Sequence, residues 1–244
     1  MTGFEEFHDE LRSVAADVLG KDRAVDWPVL VDAGWVGLEV PERFGGAGAT
    51  FAETAVICQE MGRAASAGSY LGSAVLAVAT LNAVQPSNTR DRLLTDIAAG
   101  DTRVAVALES LAFVPDAEGA DRVLVVANGA VAVAELDVTA APVVDQTRRL
   151  ATVSSPTTGP PTMLRFDGDA DTAVRLLHDR AAVAVACDSL GIAEAMLWAT
   201  VEYAKVRSQF GRPIGSFQAV KHACADMLVQ IEVSRQLVGS AVGA

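Results

Sequence analysis

Apolar side chains recur at helical spacing from the start of the chain. Phe4, Phe7, Leu11, Val14, Ala15 and Val18 fall on one face, and Gly20 ends the pattern. A second short helix is predicted over 27–33, stopped by Gly34. Val40-Pro41-Glu42, Phe44-Gly45-Gly46 and Gly48 then interrupt the periodicity. No strand precedes these glycines and no Lys-Ser/Thr follows them, so they spell a tight connector rather than a phosphate cradle. Helical spacing returns over 51–64, 69–84 and 87–99.

At Gly100 the pattern switches to alternating valines. Strands are predicted over 103–108, 122–127 and 130–135, the last two flanking Asn128-Gly129, a strong hairpin signal. Further strands are expected over 143–154 and 163–166, separated by a Pro/Thr/Gly-rich loop at 155–162. From Ala170 helix returns, with Leu190, Ala193, Leu197, Val201 and Ala204 as one apolar stripe. This helix is expected to run from about 171 to 207, roughly 55 Å long. Pro213 forces the chain out of helix, and Ser216 is the candidate N-cap of the next one. The pattern gives an α+β chain, mostly α. An N-terminal helical domain (1–100) precedes a small middle antiparallel β-domain (101–168) and a C-terminal helical bundle (169–244).

Hydrophobic content of 51% with 20% charged residues indicates a globular protein, and 244 residues can bury a substantial core. The formal net charge of -12 argues against nucleic acid or an anionic membrane surface as partner. The apolar run at 181–187 is far short of the ~20 residues a membrane span needs. The acidic start, with Glu5, Glu6, Asp9 and Glu10, is unlike a signal peptide. Cys58, Cys187 and Cys224 have no metal-ligand spacing and read as reduced thiols, which suits a cytoplasmic location. His8, His178 and His222 are scattered, and Trp27, Trp35 and Trp198 are read as core aromatics.

Against that acidic background, 203–222 carries Lys205, Arg207, Arg212 and Lys221 and no acid. A local cationic island suits an anionic ligand, although a solvated basic loop between helices has the same composition. Arg207 and Phe210, three apart near a helix end, would offer a guanidinium fork to phosphate and a ring to a base.

The wording of this stretch goes further. Tyr203-Ala204, Arg207, Gln209-Phe210-Gly211, Pro213-Ile214 and Phe217-Gln218 are followed by Lys221-His222 and Ala225-Asp226-Met227. Together they closely resemble the signature of the acyl-CoA dehydrogenase family, FAD enzymes that oxidise acyl-CoA thioesters to 2,3-enoyl-CoAs. The loop at 40–48 and Glu60-Met61-Gly62-Arg63 resemble the family too. The resemblance implies that Arg207, Gln209, Phe210, Phe217 and Gln218 hold the nucleotide end of an FAD seated mainly in a neighbouring subunit. It also implies a CoA contact at Asp179.

The resemblance has three breaks. The strand-end run that lines the flavin ring in the family is reduced here to Glu109-Ser110, without its glycine-serine-aspartate end. The early-helix glutamate that some members use as base corresponds to Ala181, with Ala182 in place of a nearby arginine. Most members place the base later still, beyond the position of residue 244. The implied function is a subunit of a heteromeric FAD-dependent acyl-CoA dehydrogenase, expected to be a heterotetramer, in which a related chain carries the base. Relatives of that divided type act on CoA esters of steroid side chains, with electron-transfer flavoprotein or a similar acceptor. The alternatives are a homo-oligomeric acyl-CoA dehydrogenase with its base beyond residue 244, and a non-catalytic scaffold of the same fold. Glu194 is read as a buried or interface acid, not a base.

Overall fold

The structure is a computed structural model that describes residues 2–21, 24–156 and 160–244. Phe4 lies outside the described side chains, and 157–159 of the predicted 155–162 loop lie outside the described residues. Helices α1 (Thr2–Leu19), α2 (Trp27–Asp32), α3 (Phe51–Arg63), α4 (Val78–Asn82) and α5 (Asn88–Ala99) come first. Seven strands follow: β1 (Val104–Leu108), β2 (Val114–Pro115), β3 (Arg122–Ala127), β4 (Ala130–Ala134), β5 (Leu136–Ala140), β6 (Leu150–Pro156) and β7 (Thr162–Arg165). The chain closes with α6 (Ala170–Val206), a two-residue ribbon of β8 (Ser208–Gln209) and β9 (Arg212–Pro213), and α7 (Gln218–Val242).

Local chemistry sets many of these ends. Thr50 caps α3 in a reciprocal box: Ala52 N donates to Thr50 Oγ1 at 3.2 Å, and Thr50 N donates to Glu53 Oε2 at 2.8 Å. Ser87 caps α5, whose end is turned by Gly100 at φ 80. Ser216 does not cap α7. The chain first winds a 3-10 turn over Ile214–Ser216, and Phe217 becomes the cap position with no side-chain bond. The helix predicted over 69–84 is a π-helical segment, Leu71–Ala77, running into α4. Ser73 Oγ donates from it to Val104 O at 2.9 Å, tying helix to sheet.

The strands form a sheet in the order β1-β3-β4-β7 and a smaller one in the order β2-β6-β5. Pairings in both are antiparallel except β1 with β3, which is parallel. The strand expected over 143–154 is displaced: β5 ends at Ala140, and an irregular segment leads to β6 at Leu150. Alternation along β1 assigns its faces. Val104 and Val106 enter the main core with the helices, while Ala105 and Ala107 face the second sheet with Val114, Ala151 and Val153.

The long helix α6 is the spine. It crosses α3 at backbone contact, through two glycines. A Cβ on Gly62 would lie 1.9 Å from Asp188 O, and one on Gly191 would lie 1.9 Å from Gln59 O. Arg180 of α6 donates to Val75 O at 3.0 Å, pairs with Glu39 and lies 4.1 Å over the Phe51 ring. Glu39 in turn accepts from Thr54. Glu194, its side chain only 7% exposed, accepts from Gln59 at 3.1 Å, Arg63 at 2.5 Å and Arg235 at 2.8 Å. This cage fastens α7 to α3 and α6, and the expectation of a buried acid at Glu194 fits it.

By length and composition α6 is apolar enough to cross a membrane, with a mean hydropathy of 1.5 over its best window, a third of it buried. The run at 181–187 understated this. Its ion pairs through Arg180 and Asp188 and its packing on α3 belong to a bundle helix. Met196, Trp198, Tyr203 and Val206 of α6 are exposed, as are Met227, Leu228, Val229, Val233 and Leu237 of α7. Trp35 is fully buried and Trp27 donates to Gly100 O at 2.8 Å, but Trp198 is 69% exposed and is not a core residue.

Candidate nucleotide-contact loop

The cationic stretch forms a tight, outward-facing hairpin at the far end of α6. Arg207 ends the helix: its N–H still reaches Tyr203 O at 2.9 Å, but its ψ of 118 turns the chain away. Ile214 N donates back to Arg207 O at 2.7 Å and closes the loop. Between them Ser208-Gln209 pairs with Arg212-Pro213. The two turn residues, Phe210 at φ 53 and Gly211 at φ 76, are both left-handed. That conformation is free for Gly211 and costs about 1–3 kcal/mol for a bulky residue such as Phe210. The strain has a geometric result. The Phe210 ring stands 91% exposed, edge-on to Phe217 with centroids 6.2 Å apart.

Phe217 is half-buried beneath that ring, and Arg212 lies 4.1 Å over its face. A Cβ on Gly215 would meet Ala204 O at 2.9 Å, so the turn packs hard against the last turn of α6. Arg207 is exposed, and its guanidinium makes no hydrogen bond or ion pair among the described residues. Gln209 is exposed in β8. Gln218 is exposed at the start of α7, its carboxamide 3.4 Å from His222 Nε2. Arg207, Gln209, Phe210, Phe217 and Gln218 therefore gather around one short loop. The two hydrogen-bonding carboxamides, the ring and the unpaired cation all face solvent.

Asp179 does not join them. It sits 28 residues earlier on the same helix, roughly 42 Å away at the helical rise, and is exposed. It is the tenth residue of α6, too far in to be a first-turn acid. Its neighbour His178 has Nε2 3.0 Å from Glu109 Oε2, the carboxylate accepting, so the Glu109-Ser110 remnant at the end of β1 does lie beside this part of α6. The Ser110 hydroxyl is turned into its own loop, accepting from Ala112 N at 3.2 Å. Ala181 is half-buried beside Arg180.

Periodicity gave no sign of a cavity of about 300 Å³ between α3, the π-helical segment, β2, the 147–150 segment and α6. Its polar groups include Asp116, whose Oδ2 accepts from Gly72 N at 2.7 Å. Burial pushes the Asp116 carboxyl up to about 6, against the pull of Gly72 N and of Arg148. Arg148 is bound to Asp188 at the cavity wall, where burial also raises the Asp188 carboxyl. The only sequence signal was one acid, Asp116, in the apolar run from Phe113 to Ala117. Among the described residues no group of three or more His, Cys, Asp or Glu is placed to hold a metal.

Residues 5–101 match the N-terminal domain of acyl-CoA dehydrogenases, and residues 170–244 match the C-terminal domain. The chain belongs to the acyl-CoA dehydrogenase family. It is 38% identical over 234 residues to acyl-CoA dehydrogenase IpdE2 of Mycobacterium tuberculosis, covering 95% of this chain and 69% of that protein. Identity to IpdE2 of Mycolicibacterium smegmatis is 34%, over 96% of this chain and 70% of that protein. Among solved structures, a variant of the Tcur3481-Tcur3483 steroid ACAD superposes with a TM-score of 0.85 at 26% identity, over 98% of this chain and 78% of that one. The fold is shared also with the ChsE4-ChsE5 complex from Mycobacterium tuberculosis, at a TM-score of 0.81 and 23% identity, over 96% of this chain and 76% of that one.

The family's cofactor is FAD, and the two candidate regions fit it unequally. The hairpin suits the nucleotide end, with a guanidinium that has no partner among the described residues, an outward ring and two exposed carboxamides. The end of β1 does not suit the flavin ring, because its one hydroxyl is spent on its own loop.

Proposed function

We propose that this chain is the base-less subunit of a two-chain, FAD-dependent acyl-CoA dehydrogenase that desaturates an acyl-CoA at C2–C3. A related chain carries the base and the flavin-ring pocket. The observation that carries the reading is the loop at 207–218. It spends backbone strain to hold Phe210 in solvent and leaves Arg207 without a partner among the described residues, although carboxylates outnumber cations in this chain by 31 to 19. An anion from outside the chain is the natural partner for such a guanidinium.

In this reading Arg207 holds the FAD pyrophosphate, Phe210 packs on the adenosine end, and Gln209 and Gln218 hydrogen-bond beside them. Phe217 supports the Phe210 ring. FAD supplies the hydride acceptor. Asp179 is a weak contact to the CoA portion. The exposed apolar side chains of α6 and α7 support an oligomer, since such faces are normally covered. A heterotetramer with the related chain fits this, as does reoxidation by electron-transfer flavoprotein or a similar acceptor. The similarity to IpdE2 and to the steroid ACAD supports a steroid side-chain CoA ester as substrate. Three unpaired cysteines support a cytoplasmic location.

The test is co-purification. The chain expressed alone is expected to be colourless, and the assembled complex yellow with bound FAD. Stoichiometric FAD on the chain alone would contradict the divided site and favour a homo-oligomer. Lack of flavin in every complex would favour the scaffold.

A further inference from the structure

We propose that Arg212 is a second diphosphate-binding residue, which together with Arg207 clasps the pyrophosphate of the FAD whose nucleotide end meets this loop. This rests on the reading of 207–218 as a nucleotide-contact loop and adds a residue to it. Gln209 and Arg212 stand directly opposite each other across the β8–β9 ribbon, so their side chains share one face. The bond from Ile214 N to Arg207 O extends that ladder by one rung. Strand alternation then brings Arg207, two residues before Gln209, to the same face. Arg212 is exposed, and its guanidinium makes no hydrogen bond or ion pair among the described residues. Its contact is with an aromatic face: Arg212 Cζ lies 4.1 Å from the centroid of the Phe217 ring.

That contact orients the charge without consuming it. A ring face attracts a guanidinium through its charge and leaves the in-plane N–H donors for oxygen acceptors. Phe217 is half-buried and also meets the Phe210 ring edge-on at 6.2 Å, so one ring positions both the cation and the outward aromatic. The neighbouring cations lack this combination. Lys205 is paired with Glu202 at 2.6 Å. Lys221, in the first turn of α7, has no ring to orient it among the described residues. A nucleotide diphosphate bridge carries one negative charge on each phosphate, and Arg207 answers only one of them. Two guanidinium forks on one face of a hairpin match both the charge and the paired oxygens of the two phosphates.

The experiment is FAD titration of the flavin-stripped assembled complex by calorimetry, at about 50 mM and about 500 mM NaCl, where screening lengths differ roughly threefold. Wild type, Arg212→Gln, Arg212→Lys and Arg207→Ala are compared. Arg212→Gln is expected to weaken FAD about tenfold at low salt, the effect of one charge-assisted contact. Wild-type affinity should also fall with salt more steeply than that of Arg212→Gln, which has one ion pair fewer to screen. Arg212→Lys keeps the charge and loses the planar fork, so it should retain the salt dependence and fall between the two in affinity. A residue that only supported Phe217 would weaken FAD on substitution but leave the salt dependence at the wild-type level, and that result would overturn the proposal. Unchanged FAD affinity in Arg212→Gln would overturn it too. Weakening in Arg207→Ala with none in Arg212→Gln rejects the second arginine alone, whereas unchanged affinity in both rejects the nucleotide-contact loop as well.

Discussion

Replacing Arg207 with alanine should separate cofactor holding from folding. The side chain is exposed and makes no hydrogen bond or ion pair among the described residues, so its removal touches nothing seen to hold α6 or the hairpin in place. A substitution of that kind changes stability by no more than about 0.5 kcal/mol. The backbone bond from Ile214 N to Arg207 O, which closes the loop, survives the change. A charge-assisted guanidinium–pyrophosphate contact contributes about 1.5–3 kcal/mol. Loss of FAD affinity by roughly 10- to 150-fold is therefore expected. The assay is the flavin-to-protein ratio of the assembled complex after exhaustive dialysis, run beside thermal unfolding of this chain. Arg207→Lys should fall between, keeping charge and losing the two-pronged geometry. An unchanged flavin ratio in Arg207→Ala would refute the assignment. A large drop in melting temperature would refute the claim that the side chain is free.

Other expectations follow from the packing. Gly191→Ala puts a methyl group 1.9 Å from Gln59 O at the α3–α6 crossing and should cost at least about 2 kcal/mol in denaturant unfolding. Glu194→Ala leaves Arg63 and Arg235 without their shared acid; both are about 40% exposed, so the cost should stay near 1–3 kcal/mol, with cleavage after α6 becoming faster in limited proteolysis. Asp116 gives a pH dependence. Its carboxyl titrates at about 6 when folded against 3.8 unfolded, so the folded state binds the extra proton and stability falls as pH rises from about 4 to 6. The loss from this group is about 3 kcal/mol, and Asp116→Asn should gain on the wild type over that window; parallel stability curves would show the carboxyl to be unperturbed.

Much of the helical architecture was legible because its determinants are local. Gly20, Gly34 and Gly100 punctuate the N-terminal helices, and Asn128-Gly129 turns β3 into β4. The parallel pairing of β1 with β3 was not legible, since register with a strand 18 residues later leaves no local mark. The strand start expected at 143 missed for a similar reason. Strand pairing begins only at Leu150, where β2 and β5 supply partners. The loop residues are close in sequence and so share one hairpin, but the left-handed backbone at Phe210 and the open ring are properties of the folded hairpin. Trp198 shows the limit of composition: a tryptophan on an apolar helix reads as core, yet this one faces out with Met196 and Tyr203. The cavity, made by five segments distant in sequence, had no pattern to betray it.

The central proposal is that a related chain supplies the base; its sequence ground is Ala181, which stands at the early-helix base position and cannot accept the α-proton that must leave in the transition state. The direct measurement is acyl-CoA oxidation with a dye acceptor, by the purified chain alone and by the chain reconstituted with its related partner. The account predicts no turnover from the chain alone, even with FAD supplied and with Ala181→Glu in place. It predicts turnover in the complex, lost when the partner's base is substituted and largely kept in Asp179→Ala and Glu194→Gln. Steady turnover by the chain alone, carrying stoichiometric FAD, would contradict it.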